Sequence, residues 1–162
     1  MTVRPKFDPD AILSALRRHQ VEFVLIGGLA GGARGVGWPT YDVDIVIEDD
    51  DANLARLDAA LRQLSAEYDT FHQPPILPEM RRLQSAHGPQ LFRTRYGRLD
   101  VLKEAGGETY ETLQRDASEI TAYGATMLCA SLAALLRMKR AANRPKDQAA
   151  IARLKEVLGD DD

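Results

Sequence analysis

Hydrophobic and polar positions switch between two periods along the chain. Ile12, Leu13, Ala15 and Leu16 form one helical face. Asp8-Pro9 opens that helix with a cap residue followed by proline at the first helical position, and it should end near Gln20. A short apolar strand is expected over about Glu22–Ile26, then a small-residue helix from Leu29 to about Val36 and a turn at Gly37-Trp38-Pro39. From about Tyr41 to Ile47 the pattern alternates strictly. Tyr41, Val43, Ile45 and Ile47 fall on the core face of a strand, and Asp42 and Asp44 on the other face, one pleat apart. Leu54, Leu57, Leu61 and Leu64 then give one buried helical stripe, preceded by Asp49-Asp50-Asp51, acidic residues suited to a helix start.

Between Asp69 and Pro89 the regular pattern stops. Pro74, Pro75, Pro78 and Pro89 oppose strands and leave room for one short helix around Glu79–Ala86. A loop of this length is either a wall of a binding site or filler, and the residues do not choose between the two. Leu91–Lys103 reads as a hairpin turning at Tyr96-Gly97-Arg98. Glu108–Arg115 reads as a helix, and Ile120–Tyr123 and Ala125–Leu128 as strands around Gly124. Ser131 caps a helix carrying Leu132, Leu135, Leu136 and Met138. Asn143-Arg144-Pro145 breaks it, and a last helix runs from about Lys146 to Leu158 with Gly159 as C-cap.

Length and composition narrow the classes. The 162 residues suit one domain with a real core, and 44% hydrophobic with 28% charged residues is ordinary for a globular protein. A net charge of −3 excludes a polycation searching for nucleic acid, although local basic clusters remain possible. No apolar run reaches membrane-spanning length and no signal peptide is expected, which points to a cytoplasmic protein without a membrane partner. The single Cys129 precludes an internal disulfide, and its apolar neighbours mark a buried structural thiol. His72 and His87 lack metal-ligand spacing and read as surface residues; Asp160-Asp161-Asp162 reads as a frayed tail.

The candidate chemistry lies between Phe23 and Glu48. Two carboxylates held as close as Asp42 and Asp44 repel each other unless a cation neutralises them, and hard divalent ions such as Mg²⁺ take carboxylate oxygens together with substrate phosphates. Gly27-Gly28, at the end of an apolar strand and the start of a helix, offers backbone amides to a phosphate with no side chain in the way. Either feature alone is common; the pair at this spacing is not. There is no Gly-Lys-Ser/Thr of a P-loop, and the glycines do not follow the dinucleotide-binding order. Gly28, Gly31, Gly32 and Gly35 recur at helical spacing and suit close helix–sheet packing. Asp100 sits inside the apolar strand Leu99–Leu102, where a carboxylate needs a metal or a partner such as Arg93 or Arg95.

Ile26-Gly27-Gly28 followed by Thr40-x-Asp42-Val43-Asp44-Ile45 resembles the signature of the polymerase β-like nucleotidyltransferases, most of all the small members that include abortive-infection toxins. The resemblance covers most of the chain. It implies an α/β (α+β) fold, a small mixed twisted sheet flanked by helices, with a core over about 8–129 and a helical pair over about 131–158. It implies transfer of a nucleoside monophosphate from an NTP to a hydroxyl of RNA (a tRNA end among them), protein or a small molecule. Toxin–antitoxin pairing with a cognate partner protein belongs to the same expectation.

Asp100 matches the family's third carboxylate, so Asp42, Asp44 and Asp100 would be the catalytic residues and the ligands of two Mg²⁺ (or Mn²⁺) ions. Gly27, Gly28, Thr40 and Lys139 would bind the nucleotide. Arg144 and Lys146 are candidates for phosphate or RNA contacts, and Asp147 either caps the last helix or pairs with Lys139. The chain departs from the family twice. Trp38 stands where relatives carry arginine, a loss that Arg34 could offset, and Leu29 replaces a serine. The same fold kept as an inactive nucleotide- or partner-binding module is the alternative.

Overall fold

Alternation on one strand, apolar runs on its neighbours and two short hairpins, over residues 90–102 and 118–129, assemble into a seven-stranded sheet. In this computed structural model residues 6–159 are described, and the Asp160-Asp161-Asp162 tail lies outside them. The order of elements is α1 (Pro9–Arg18), β1 (Phe23–Ile26), α2 (Gly27–Ala33), β2 (Asp42–Ile47), α3 (Asp51–Gln63), β3 (Glu67–Tyr68), α4 (Met80–Ser85), β4 (Gln90–Thr94), β5 (Gly97–Leu102), β6 (Glu104–Ala105), β7 (Glu108–Thr109), α5 (Tyr110–Gln114), β8 (Ser118–Ala122), β9 (Ala125–Cys129), α6 (Leu132–Ala142), a 3₁₀ turn (Pro145–Asp147) and α7 (Gln148–Leu158). The main sheet runs β3-β4-β5-β2-β1-β9-β8, and β6-β7 forms a separate small hairpin. It is mixed: β2 is antiparallel to β1 and parallel to β5, while β1 is parallel to β9. None of the described helices is long and apolar enough to cross a membrane.

The two faces of β2 have different fates. Val43, Ile45 and Ile47 are buried, Val43 and Ile45 paired in register with Leu99 and Val101 of β5, and α1 lies against β2, β5 and β9 with Ile12, Leu13 and Leu16 buried. On the opposite face Val46 is buried, but Asp42 and Asp44 stand at the end where the cover stops. A buried Asn53 on α3 ties the far end of this strand pair together. Its Oδ1 accepts from the Glu22 amide (2.7 Å), and its Nδ2 donates to the carbonyls of Glu22 (2.9 Å) and Glu48 (2.8 Å). With its backbone partners satisfied the buried amide is inexpensive, and it fixes where β1 and β2 meet α3.

The expected caps are present: Asp8 and Ser131 accept from the amides of Ala11 and Ala134, and Gly159 ends α7 in the left-handed region; Asp50, expected only as part of an acidic helix start, also caps α3 by accepting from the Asn53 amide. Four expectations need correction. Tyr41 is not a core residue. The strand begins at Asp42, and Tyr41 projects outward with 78% of its surface exposed. The small-residue helix begins at Gly27, not Leu29, because Gly27 at φ +73° lets β1 turn into a helix with no linker. The hairpin turns one residue earlier than expected, at Arg95-Tyr96, with Thr94 paired to Gly97. Finally, β3, β6 and β7 were not expected, since two-residue strands show no periodicity; residues 108–109 of the supposed helix are β7.

Candidate active site

Strand register builds the acidic site. Asp42 and Asp44 share one face of β2, and the parallel pairing with β5 sets Asp44 opposite Asp100 and Asp42 opposite Arg98. One oxygen from each of the three carboxylates lies within 4.8 Å of the others. All three are half-buried. Burial, and then the charges of Asp42 and Asp100, push the Asp44 carboxyl up to about 8, and Lys139 opposes this. Burial and the Asp42 charge raise Asp100 to about 6, against the nearby Arg98 guanidinium. Among the described residues Asp100 Oδ1 is buried with no hydrogen bond, and its ion-pair contact is Arg98 Nη2 at 3.8 Å. Neither Arg93 nor Arg95 pairs with it: Arg93 pairs with Glu67 and Asp69, and Arg95 donates to Ser65. A buried carboxylate oxygen without a hydrogen bond, inside a cluster of like charges, belongs to the donor set that a hard divalent cation satisfies.

The glycine turn borders this cluster. A Cβ on Gly27 would collide with the Asp44 carboxylate, and one on Gly28 would sit 2.6 Å from Thr40 Cβ. Thr40 Oγ1 in turn lies 3.3 Å from both the carbonyl and Oδ1 of Asp42, to which it donates. The two glycines therefore permit the close approach of β1 and α2 to the residues that carry and steady the carboxylates. These groups line a cleft of about 960 Å³.

No family model and no curated sequence matches the chain. Solved structures do. The chain matches the antibiotic-resistance factor ANT(2'')-Ia with a TM-score of 0.61 at 18% identity, over 92% of this chain and 81% of that one. It matches the lincosamide antibiotic adenylyltransferase LnuA, solved with lincomycin bound, with a TM-score of 0.61 at 17% identity, over 95% and 99%. A second ANT(2'')-Ia structure, in complex with adenylyl-2''-tobramycin, gives 0.58 at 18% identity, over 92% and 86%. The fold is that of the polymerase β-like nucleotidyltransferases.

Within this nucleotidyltransferase fold the second side of the cleft comes from α6 and the linker to α7. Lys139 Nζ donates to Asp147 Oδ1 (2.9 Å) and stands 5.3 Å from the centre of the Trp38 ring. Asp147 is only 1% exposed. Burial works against its charge, but hydrogen bonds from Arg144 (Nε 2.7 Å, Nη2 3.2 Å) and Lys139 hold its carboxyl down to about 2. It makes no side-chain cap on α7, so of the two expected roles the pairing with Lys139 is the one present. Arg144 and Lys146 line the same cleft.

Arg34 does not replace the missing arginine at position 38. Its guanidinium donates to the carbonyls of Ala130 (2.7 Å) and Cys129 (2.8 Å) and to Ser118 Oγ (2.8 Å), and it does not line the cleft. Of the proline-rich loop only Pro89 reaches the cleft; the wall there is Leu91, Leu102 and the β6-β7 hairpin. His72 and His87 are exposed and Cys129 is buried. Sequence reasoning missed Arg98, the fourth corner of the block formed with the three carboxylates. Only the β2–β5 register reveals it, and pattern reading does not supply register between strands so far apart in the chain.

Proposed function

We propose that the chain is a divalent-metal-dependent nucleotidyltransferase that moves a nucleoside monophosphate from an NTP to a hydroxyl acceptor. The observation that carries this reading is the convergence of Asp42, Asp44 and Asp100 within 4.8 Å, with one buried oxygen left without a hydrogen bond. Asp42, Asp44 and Asp100 would hold Mg²⁺ or Mn²⁺, and such a cation supplies neutralisation of phosphate charge and a lowered hydroxyl pKa. Gly27 and Gly28 on one side and Lys139 on the other frame the place for the triphosphate, and Thr40 steadies Asp42. The acceptor oxygen attacks the α-phosphorus, the bond to the β-phosphate breaks, and pyrophosphate leaves. Asp100, beside the other two carboxylates, is the chain's own group for taking the hydroxyl proton. Phosphoryl-type transfer needs positioning and charge compensation above all, and these residues offer both.

A small-molecule acceptor fits best. The structural neighbours are named for antibiotics, lincomycin and an adenylylated tobramycin among them, and a cleft of about 960 Å³ has room for a compact acceptor beside the nucleotide. Exposed Arg144 and Lys146 at the cleft favour a second reading, an RNA acceptor of a toxin–antitoxin pair. The core over about 8–129 and the helical pair over about 131–158 act as one domain, since the carboxylates come from the first and Lys139 from the second. The test is incubation with each α-labelled NTP and Mg²⁺ or Mn²⁺, against hydroxylated small molecules, total RNA and protein in separate arms. Label should enter one pool only with the metal, and not at all with Asp42→Asn or Asp100→Asn. Labelling that survives those substitutions, or no labelling of any pool, would reject the proposal.

A further inference from the structure

Trp38 is the only tryptophan of the chain and lines the cleft beside the glycine turn. Behind the ring lies α2: a Cβ on Gly31 would sit 2.6 Å from ring carbon Cζ3 and 2.7 Å from Cη2, so the glycine makes room for the indole and the ring cannot retreat. The Lys139 ammonium stands over the ring, 5.3 Å from its centre. The same ammonium donates to Asp147, which is 1% exposed and is itself clamped by Arg144. Lys139 is thus fixed between an aromatic face and a buried carboxylate, with 19% of its side chain left open. An ammonium carries three donors and Asp147 uses one, so donors remain for an anion in the cleft. Its field already reaches Asp44 across the cleft.

We propose that Trp38 is a positioning residue that holds the Lys139 ammonium against the polyphosphate of the incoming nucleotide. The chain has no cation at position 38; its aromatic face orients a cation supplied by α6 instead. With the Lys139 ammonium over the indole, the ring acts through that cation. Its effect therefore falls on the part that all NTPs share. This inference rests on the nucleotidyl-transfer reading.

The experiment uses magnesium tripolyphosphate and the four NTPs as probes. Trp38 fluorescence reports binding directly in the wild type and in Lys139→Met, and calorimetry reports it in Trp38→Ala and Trp38→Phe. Lys139→Met should shift Trp38 emission in the free protein. Trp38→Ala should weaken tripolyphosphate and every NTP by a similar factor, roughly fivefold to tenfold, with KM for the NTP raised and kcat little changed. Trp38→Phe should recover most of the loss. In a Lys139→Met background Trp38→Ala should add less than about twofold, because the cation it orients is gone. Wild-type-like binding by Trp38→Ala, multiplying factors in the double variant, or a loss confined to one base would each overturn the proposal. Those outcomes leave NTP binding by the wild type intact; a wild type that binds neither tripolyphosphate nor any NTP sinks the nucleotidyl-transfer reading itself.

Discussion

Replacing Asp44 by asparagine should stabilise the metal-free protein and at the same time remove its response to Mg²⁺. Asp44 is held at about 8 in the fold against an ordinary 3.8, because it is buried beside Asp42 and Asp100. A carboxyl raised on folding contributes stability that is complete below its unfolded value and is lost as pH rises through its folded value. Each pH unit inside that window costs 1.36 kcal/mol, so the metal-free wild type should lose about 5 kcal/mol between pH values near 4 and near 8. Asparagine cannot ionise, but its amide hydrogens need acceptors. Asp42 and Asp100 can supply them, and a net gain of roughly 2–3 kcal/mol above pH 8 is expected, a rise in Tm of about 5–10 °C.

The assay is a series of thermal melts across this range in a chelator, repeated with excess Mg²⁺. The wild type should lose stability with rising pH in the chelator and regain it with metal. Asp44→Asn should be flatter with pH, more stable than the wild type only at the alkaline end, and indifferent to metal. A wild type whose chelated stability does not fall across the window, or an Asp44→Asn protein less stable than the wild type at every pH, would show that the carboxylates are not crowded as described. The trade is the familiar one in which a site destabilises the fold that holds it.

How much of this was legible in the sequence depends on the range of the signal. The helix starts at Asp8 and Ser131 were readable because capping is local: each acts on an amide three residues on, as Asp50, read only as part of an acidic run, also does. The faces of β2 were readable from alternation, and Asp100 from a carboxylate inside an apolar strand. Tyr41 was misplaced because alternation was carried one residue past the point where pairing begins, and nothing in the pattern marks that point. Asn53 reads as an ordinary polar residue near a helix start. Its importance comes from the carbonyls of Glu22 and Glu48, brought to it by the fold. The Trp38–Lys139–Asp147 arrangement joins residues a hundred positions apart, and only Lys139–Asp147 was within reach of local reasoning.

The remaining predictions follow from single contacts. Asn53→Ala strands the Glu22 amide and the Glu22 and Glu48 carbonyls, and should cost about 3 kcal/mol by chemical denaturation; a loss under about 1 kcal/mol would mean these groups find other partners. Gly28→Ala drives a methyl into Thr40, which steadies Asp42, so transfer activity should fall at least tenfold while far-ultraviolet circular dichroism is unchanged, and a fully active variant would contradict the contact. Asp147→Asn leaves Lys139 and Arg144 without their shared buried counter-charge. It should cost about 3 kcal/mol at neutral pH. Because the Asp147 carboxyl is held down to about 2 from an ordinary 3.8, its contribution is complete above the higher value and is lost as pH falls toward the lower one. Wild type and Asp147→Asn should therefore differ by a constant amount from neutrality down to about pH 4 and converge only below it. A gap that closes near pH 6 instead would assign the effect to another group.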